Sequence, residues 1–169
     1  MATGVLMIKQ KIVTNLWFDT EALEAAEFYC SIFPNSRIVD KLYYNDANPD
    51  RVGTVLTVNF ELDGQLFTAI NGGPEFKFDE AISLLVNCET QSEIDYYWDA
   101  LTKDGEEVVC GWLKDKFGLS WQISPIQLEV LLKETDKEGV KRVSECMYGM
   151  KKLIINELMD AYQNENLRI

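Results

Sequence analysis

Residues 110–124 read CGWLKDKFGLSWQIS and carry the side chains best suited to chemistry. Cys110 offers a thiol, Lys114 a cation that could favour a thiolate or meet an anion, Trp112 an aromatic wall, and Gln122 a neutral amide. The chain has no histidine. That count excludes histidine-based triads, histidine-activated cysteines and imidazole metal ligands, so any reaction must use carboxylates, Lys, Tyr, Cys or a partner molecule. Cys30, Cys88, Cys110 and Cys146 form no CxxC pair, which argues against a zinc site and reads, at 30, 88 and 146, as free buried thiols. Cys110, Trp112 and Lys114, two residues apart, read as one face of an edge strand with Lys114 solvated. Glu75, Asp79 and Glu80 could supply a base, but among 28 acidic residues a loop carboxylate is ordinarily just solvated.

These residues must be positioned by one compact domain or two small modules: there are 169 residues, 47% of them apolar. The net charge of −12 repels a phosphate backbone, so no nucleic-acid partner is expected. No apolar run approaches the roughly 20 residues of a spanning helix, and the start lacks the form of a signal peptide, so no membrane partner and a cytoplasmic location are expected. Residues 1–10 read as an extension, with Met7 as an alternative start.

The pattern repeats. KIVTNLWF at 11–18 alternates as a strand, Asp19 or Thr20 caps a helix through Phe33, and RIVDKLYYN, TVLTVNFEL and LFTAIN follow as strands, the last two joined by Asp63-Gly64. After the GGP at 72–74 come AISLLVNC, a helix opened by Thr90 over about 91–103, and short strands at EEVVCG, GWLKD and LSWQIS. Two modules, 11–72 and 75–125, are therefore expected, each a small sheet under one helix, together curving around a shared cleft. Aligning the halves pairs Asn15 with Ser83, Val13 with Ala81, and Ala69 with Gln122. Residues 126–169 change to helices whose apolar stripes pack on the sheets or on a second subunit.

Strand alternation then selects a site. With Ile12, Leu16 and Phe18 under the first helix, Val13, Asn15 and Trp17 face the cleft; Ser83, Leu85, Ser120 and Gln122 do so in the second module, with Trp121 and Ile123 in the core. Asn15, Trp17, Ser83, Cys110, Trp112, Ser120 and Gln122 are the expected ligand-binding residues, with no catalytic residue assigned. Phe76 and Phe78, in the linking loop, read as packing residues, as does Tyr96-Tyr97-Trp98 on its helix.

The ordered segments LWFD, FYCSIFPNS, ELDGQLFTAINGGPEFKF, EAIS, YYWDAL and CGWLKDKFGLSWQISP resemble the PhnB-like branch of the vicinal oxygen chelate superfamily. The resemblance implies an α+β fold of two βαβββ modules, as in glyoxalase I, extradiol dioxygenases and the fosfomycin and bleomycin resistance proteins, in a homodimer. It brings the family name 3-demethylubiquinone-9 3-methyltransferase, yet the chain lacks a glycine-rich loop between a first strand and helix, and GGP lies in the linker. Metal-dependent members ligate from the first, fourth, fifth and eighth strands. Carried over, these positions are Val13, Ala69, Ala81 or Ser83, and Gln122, of which only Gln122 could ligate, and weakly, so no metal or other cofactor is expected. The resulting expectation is a small-molecule-binding protein with a metal-free cleft. A metal-dependent lyase or dioxygenase, a drug-sequestering resistance protein, a metal-free isomerase or transferase, and a structural protein with a filled cleft are the alternatives.

Overall fold

The computed structural model describes residues 10–163 and divides into two compact units, with the boundary between Lys77 and Phe78. In the first, the order is β1 (Thr14–Phe18), α1 (Ala22–Ile32), β2 (Arg37–Tyr43), a 3-10 turn (Pro49–Arg51), β3 (Val55–Leu62) and β4 (Gln65–Asn71). The sheet runs β1-β4-β3-β2, with β1 parallel to β4 and the other pairs antiparallel. Alternation decides the covered face: Leu16, Phe18, Val58, Phe60, Phe67 and Ala69 are buried beneath α1, which meets them with Ala22, Ala25, Ala26, Tyr29 and Ile32. The alanines let helix and sheet approach closely, and the rings of Tyr29, Phe60 and Phe67 stack at 6.3 and 5.5 Å. Asp63 and Gly64 both adopt positive φ, 47° and 75°, as a two-residue hairpin between right-twisted strands requires.

The cap of α1 differs from the one expected. Glu21 stands at the N-cap without a side-chain capping bond, and neither Asp19 nor Thr20 serves. Instead Asn71, at the end of β4, accepts from the Ala22 N–H at 2.8 Å and donates to the Val55 carbonyl at 3.0 Å. Because β4 lies beside β1, a long-range residue reaches the helix start that a local one would ordinarily fill. Ile12 is 87% exposed and lies ahead of β1 rather than under the helix.

The second unit repeats the plan with β5 (Ser83–Cys88), α2 (Gln91–Thr102), β6 (Glu106–Glu107), β7 (Trp112–Lys114) and β8 (Ser120–Pro125), ordered β5-β8-β7-β6 with β5 parallel to β8. Thr90 caps α2 in a reciprocal capping box with Glu93. Cys88, Leu113, Trp121 and Ile123 are buried with Ile94, Trp98 and Leu101 of α2. Between β7 and β8, Asp115 is 3% exposed and accepts from the Phe117 and Leu119 N–H groups and the Trp121 indole, at 2.9, 3.1 and 2.8 Å. It ties the turn to the core.

Then follow α3 (Ile126–Leu132), α4 (Lys137–Tyr148) and α5 (Ile155–Gln163). Their apolar stripes meet chiefly one another, through Leu128, Leu131, Val143, Met150, Leu153 and Leu158. Docking onto the α2 side is polar. The Gln91 amide donates to the Leu153 carbonyl and accepts from the Ile155 N–H, while Lys152 pairs with Asp95 and Asp99. No helix among the described residues is long and apolar enough to cross a membrane.

Asp115→Ala orphans three N–H donors at once, two of them buried, and we expect a loss of about 3 kcal/mol in urea unfolding, with the near-ultraviolet signal of the tryptophans altered.

Candidate functional site

Each sheet has one helix on one face, and the other face is where chemistry could lie. On the first sheet the helix-free face carries the row Asn15, Thr68, Asn59 and Asp40, one residue per strand in register. Its hydrogen bonds run in one direction. The Thr68 hydroxyl donates to Asn59 Oδ1 at 2.7 Å, and Asn59 Nδ2 donates to the Asp40 carboxylate at 2.8 Å. Asn15 is exposed and its side chain has no partner among the described residues.

The next row along the same face begins with Trp17 beside Ile70. Its indole N–H donates to the Gly73 carbonyl at 2.9 Å, and Phe76 stands edge-on at 5.0 Å. Gly72 is required here, because a Cβ would come within 2.1 Å of the ring. Phe76 is 65% exposed and belongs with the first unit, so the linking loop packs against Trp17 rather than starting β5. Tyr44 fixes the base of this loop by donating to the Asn71 carbonyl at 2.6 Å, with Arg51 over its ring.

On the second sheet the helix-free face carries Ser83, Ser120 and Lys114 in one row, and Leu85, Gln122 and Trp112 in the next. Gln122 Nε2 donates to Ser83 Oγ at 2.8 Å, a diagonal cross-strand bond, and Gln122 Oε1 accepts none from the described residues. Lys114 forms an ion pair with Glu80, whose carboxyl its hydrogen bond pulls below the ordinary range. Lys114 and Glu80, both expected to be solvated, are thus each other's partner.

The expected residues sort as follows. Asn15 and Trp17 share one face of the first sheet; Ser83, Gln122 and Trp112 share one face of the second. Ser120 also lies on that face but is fully enclosed, with its Oγ unpartnered, so a ligand has no direct approach to it. Cys110 lies outside β7 at φ 59°, in a turn whose N–H donates to the Met150 carbonyl, so it does not continue the strand face of Trp112 and Lys114. A left-handed residue breaks period-two alternation. Cys88 alone among the cysteines is fully buried, its thiol pushed up to about 11 by desolvation; Cys30 and Cys146 are half-buried, also raised by burial.

The pairing of Ala69 with Gln122 is corrected by the register. Leu16 faces Ala69 in the first sheet as Leu84 faces Trp121 in the second, so Ala69 corresponds to Trp121, and Gln122 to Ile70. A one-residue slip reverses the face, and Ala69 is completely buried under α1. The corrected positions supply no further anionic donor. Gln122 could offer only one neutral amide oxygen, and among the described residues no three of Cys, Asp and Glu gather as a metal site. This donor set does not fit a divalent ion, which takes several anionic or imidazole ligands. Sequence reasoning missed Asp40, Asn59 and Thr68. Their signal is a polar residue at the uncovered parity of each strand, Asp40, Asn59 and Thr68, which lines up as one row only once strand register is known.

The family described as 3-demethylubiquinone-9 3-methyltransferase matches residues 10–124. The chain belongs to this family. A PhnB protein from Bacillus cereus, which bears the same methyltransferase name, is 40% identical, covers 69% of this chain and 99% of its own, and superposes with a TM-score of 0.63. Protein PA1353 from Pseudomonas aeruginosa is 18% identical, covering 69% and 97%, with a TM-score of 0.57. The fosfomycin resistance protein FosX from Listeria monocytogenes, solved with Mn(II) and sulfate, is 14% identical, covering 75% and 98%, with a TM-score of 0.51. These last two share the fold. No curated protein matches the chain. The family is the PhnB-like branch of the vicinal oxygen chelate superfamily, and the α+β architecture of two mixed four-stranded sheets with C-terminal helices agrees with it.

Gly72→Ala forces the Trp17 indole off Gly73. We expect about 2 kcal/mol of destabilisation and a shifted Trp17 indole resonance in the 15N–1H spectrum, with the other three indole signals unmoved.

Proposed function

We propose that this PhnB-like protein binds a small, partly apolar organic molecule against its helix-free sheet surfaces, without a divalent metal, as a cytoplasmic homodimer. The observation that carries the reading is the Gln122 amide, oriented by Ser83 beside the half-buried Trp112 and left with an uncommitted carbonyl oxygen. An oriented amide next to an aromatic wall is the usual form of a small-molecule contact surface. On the first sheet Asn15 and Trp17 provide the corresponding amide and ring. Four free thiols suit a reducing compartment, and the homodimer follows from the family resemblance.

The proposal is one of binding rather than acid–base turnover. A metal-free isomerase would need a carboxyl held above its ordinary range. Among the described residues the carboxyls with a resolved shift, Glu80, Asp95, Glu107 and Glu129, all move down, each mainly through a hydrogen bond from a lysine or, for Glu107, the Trp98 indole. The reading leaves out the chemistry of the family's methyltransferase name, because the β1–α1 connection, Asp19 to Glu21, has no glycine at which an adenosyl cofactor could lie close to the backbone.

Native mass spectrometry of the purified protein should show a dimer carrying a stoichiometric organic mass, and Gln122→Leu should weaken its retention about fivefold to tenfold, the worth of one hydrogen bond. A bare monomer whose Gln122→Leu variant is indistinguishable from it would overturn the reading.

A further inference from the structure

We infer that the row Asn15, Thr68, Asn59 and Asp40 recognises the hydrogen-bond donor end of a ligand, specifically a primary ammonium on a small aromatic molecule. The inference rests on the binding reading above and adds the polarity of the group that is bound. A carboxylate only accepts, so the amide nitrogen of Asn59 must face Asp40 and its oxygen must face Thr68. The Thr68 hydroxyl then has to spend its single proton on Asn59. What Thr68 presents beyond the row is a pair of lone pairs and no proton. Its neighbour on β1 is Asn15, exposed and unpartnered, whose amide oxygen can accept alongside it.

Asp40 therefore fixes the sign of a site two strands away. The row is neutral or negative at every position, the whole chain carries −12, and the indole of Trp17 stands one row further along the same face. Lone pairs at Thr68 and Asn15, a ring beside them and a negative field select a cationic N–H donor attached to an aromatic group. A carboxylate could be met by the Asn15 amide N–H groups but not by Thr68, whose proton is spent on Asn59, and it would enter the same negative field.

The test uses benzylamine and benzyltrimethylammonium, which share a ring and a charge but differ in N–H donors, titrated into the 15N-labelled full chain. Benzylamine should shift the Asn15 side-chain amide and the Trp17 indole resonance, and bind at least about tenfold more tightly than its trimethyl counterpart. Thr68→Val should remove that preference. Asp40→Asn, which frees Asn59 to reverse, should reduce it while leaving the spectrum folded. Equal binding of the two probes, or no shift at Asn15 and Trp17, overturns the inference. If the shifts fall instead at Gln122 and Trp112, the donor-end assignment fails while the binding reading stands. If neither probe shifts any resonance but the native protein carries an organic mass, only the donor-end assignment is lost.

Discussion

One helix per four-stranded sheet is the constraint from which the rest follows. A sheet has two faces and period-two alternation assigns every side chain to one of them, so α1 and α2 each settle the fate of four strands. Leu16, Val58, Phe60, Phe67 and Ala69 become core, and the intervening residues are committed to the opposite face whether or not they do chemistry there. The parallel closures, β1 on β4 and β5 on β8, then bring residues distant in sequence into rows: Asn15 beside Thr68, and Ser83 beside Ser120. Function, on this account, is written in the parity left over after the core is satisfied.

Much of the fold was legible because it is locally encoded. The Asp63-Gly64 hairpin, the Thr90 cap and the alternation of β1, β3 and β4 all rest on neighbours in sequence. What was not legible depended on distant partners. Asn71 caps α1 from 49 residues away, which no reading of Asp19 and Thr20 could show. Lys114 finds Glu80 across a loop, and Cys110 adopts a left-handed conformation that the extended reading of EEVVCG had no reason to include. In the site, the faces of Asn15, Trp17, Ser83 and Gln122 followed from alternation alone. The placement of Ala69 did not, because aligning TAIN with WQIS slipped by one residue, and in a strand one residue is the difference between core and surface.

The chain shares its fold with FosX, which was solved with Mn(II), but its own donor set differs in kind from one that suits such an ion. With no histidine and only one amide oxygen at Gln122, the helix-free faces carry amides, hydroxyls, indoles and the single carboxylate of Asp40, groups that orient neutral or singly charged organic molecules but hold a divalent ion poorly. One architecture can carry different polar groups on the same sheet faces, which is how a fold serves unrelated ligands.

The most direct measurement is a manganese titration of the 15N-labelled protein, following the side-chain amide resonances of Gln122 and Asn15. A paramagnetic ion at the superfamily's ligand positions would broaden Gln122 at stoichiometric concentration. The account predicts that both amides stay sharp at one equivalent and lose intensity only nonspecifically, with the exposed carboxylates, at large excess. Selective loss of the Gln122 signal at one equivalent, reversed by a chelator, would contradict it.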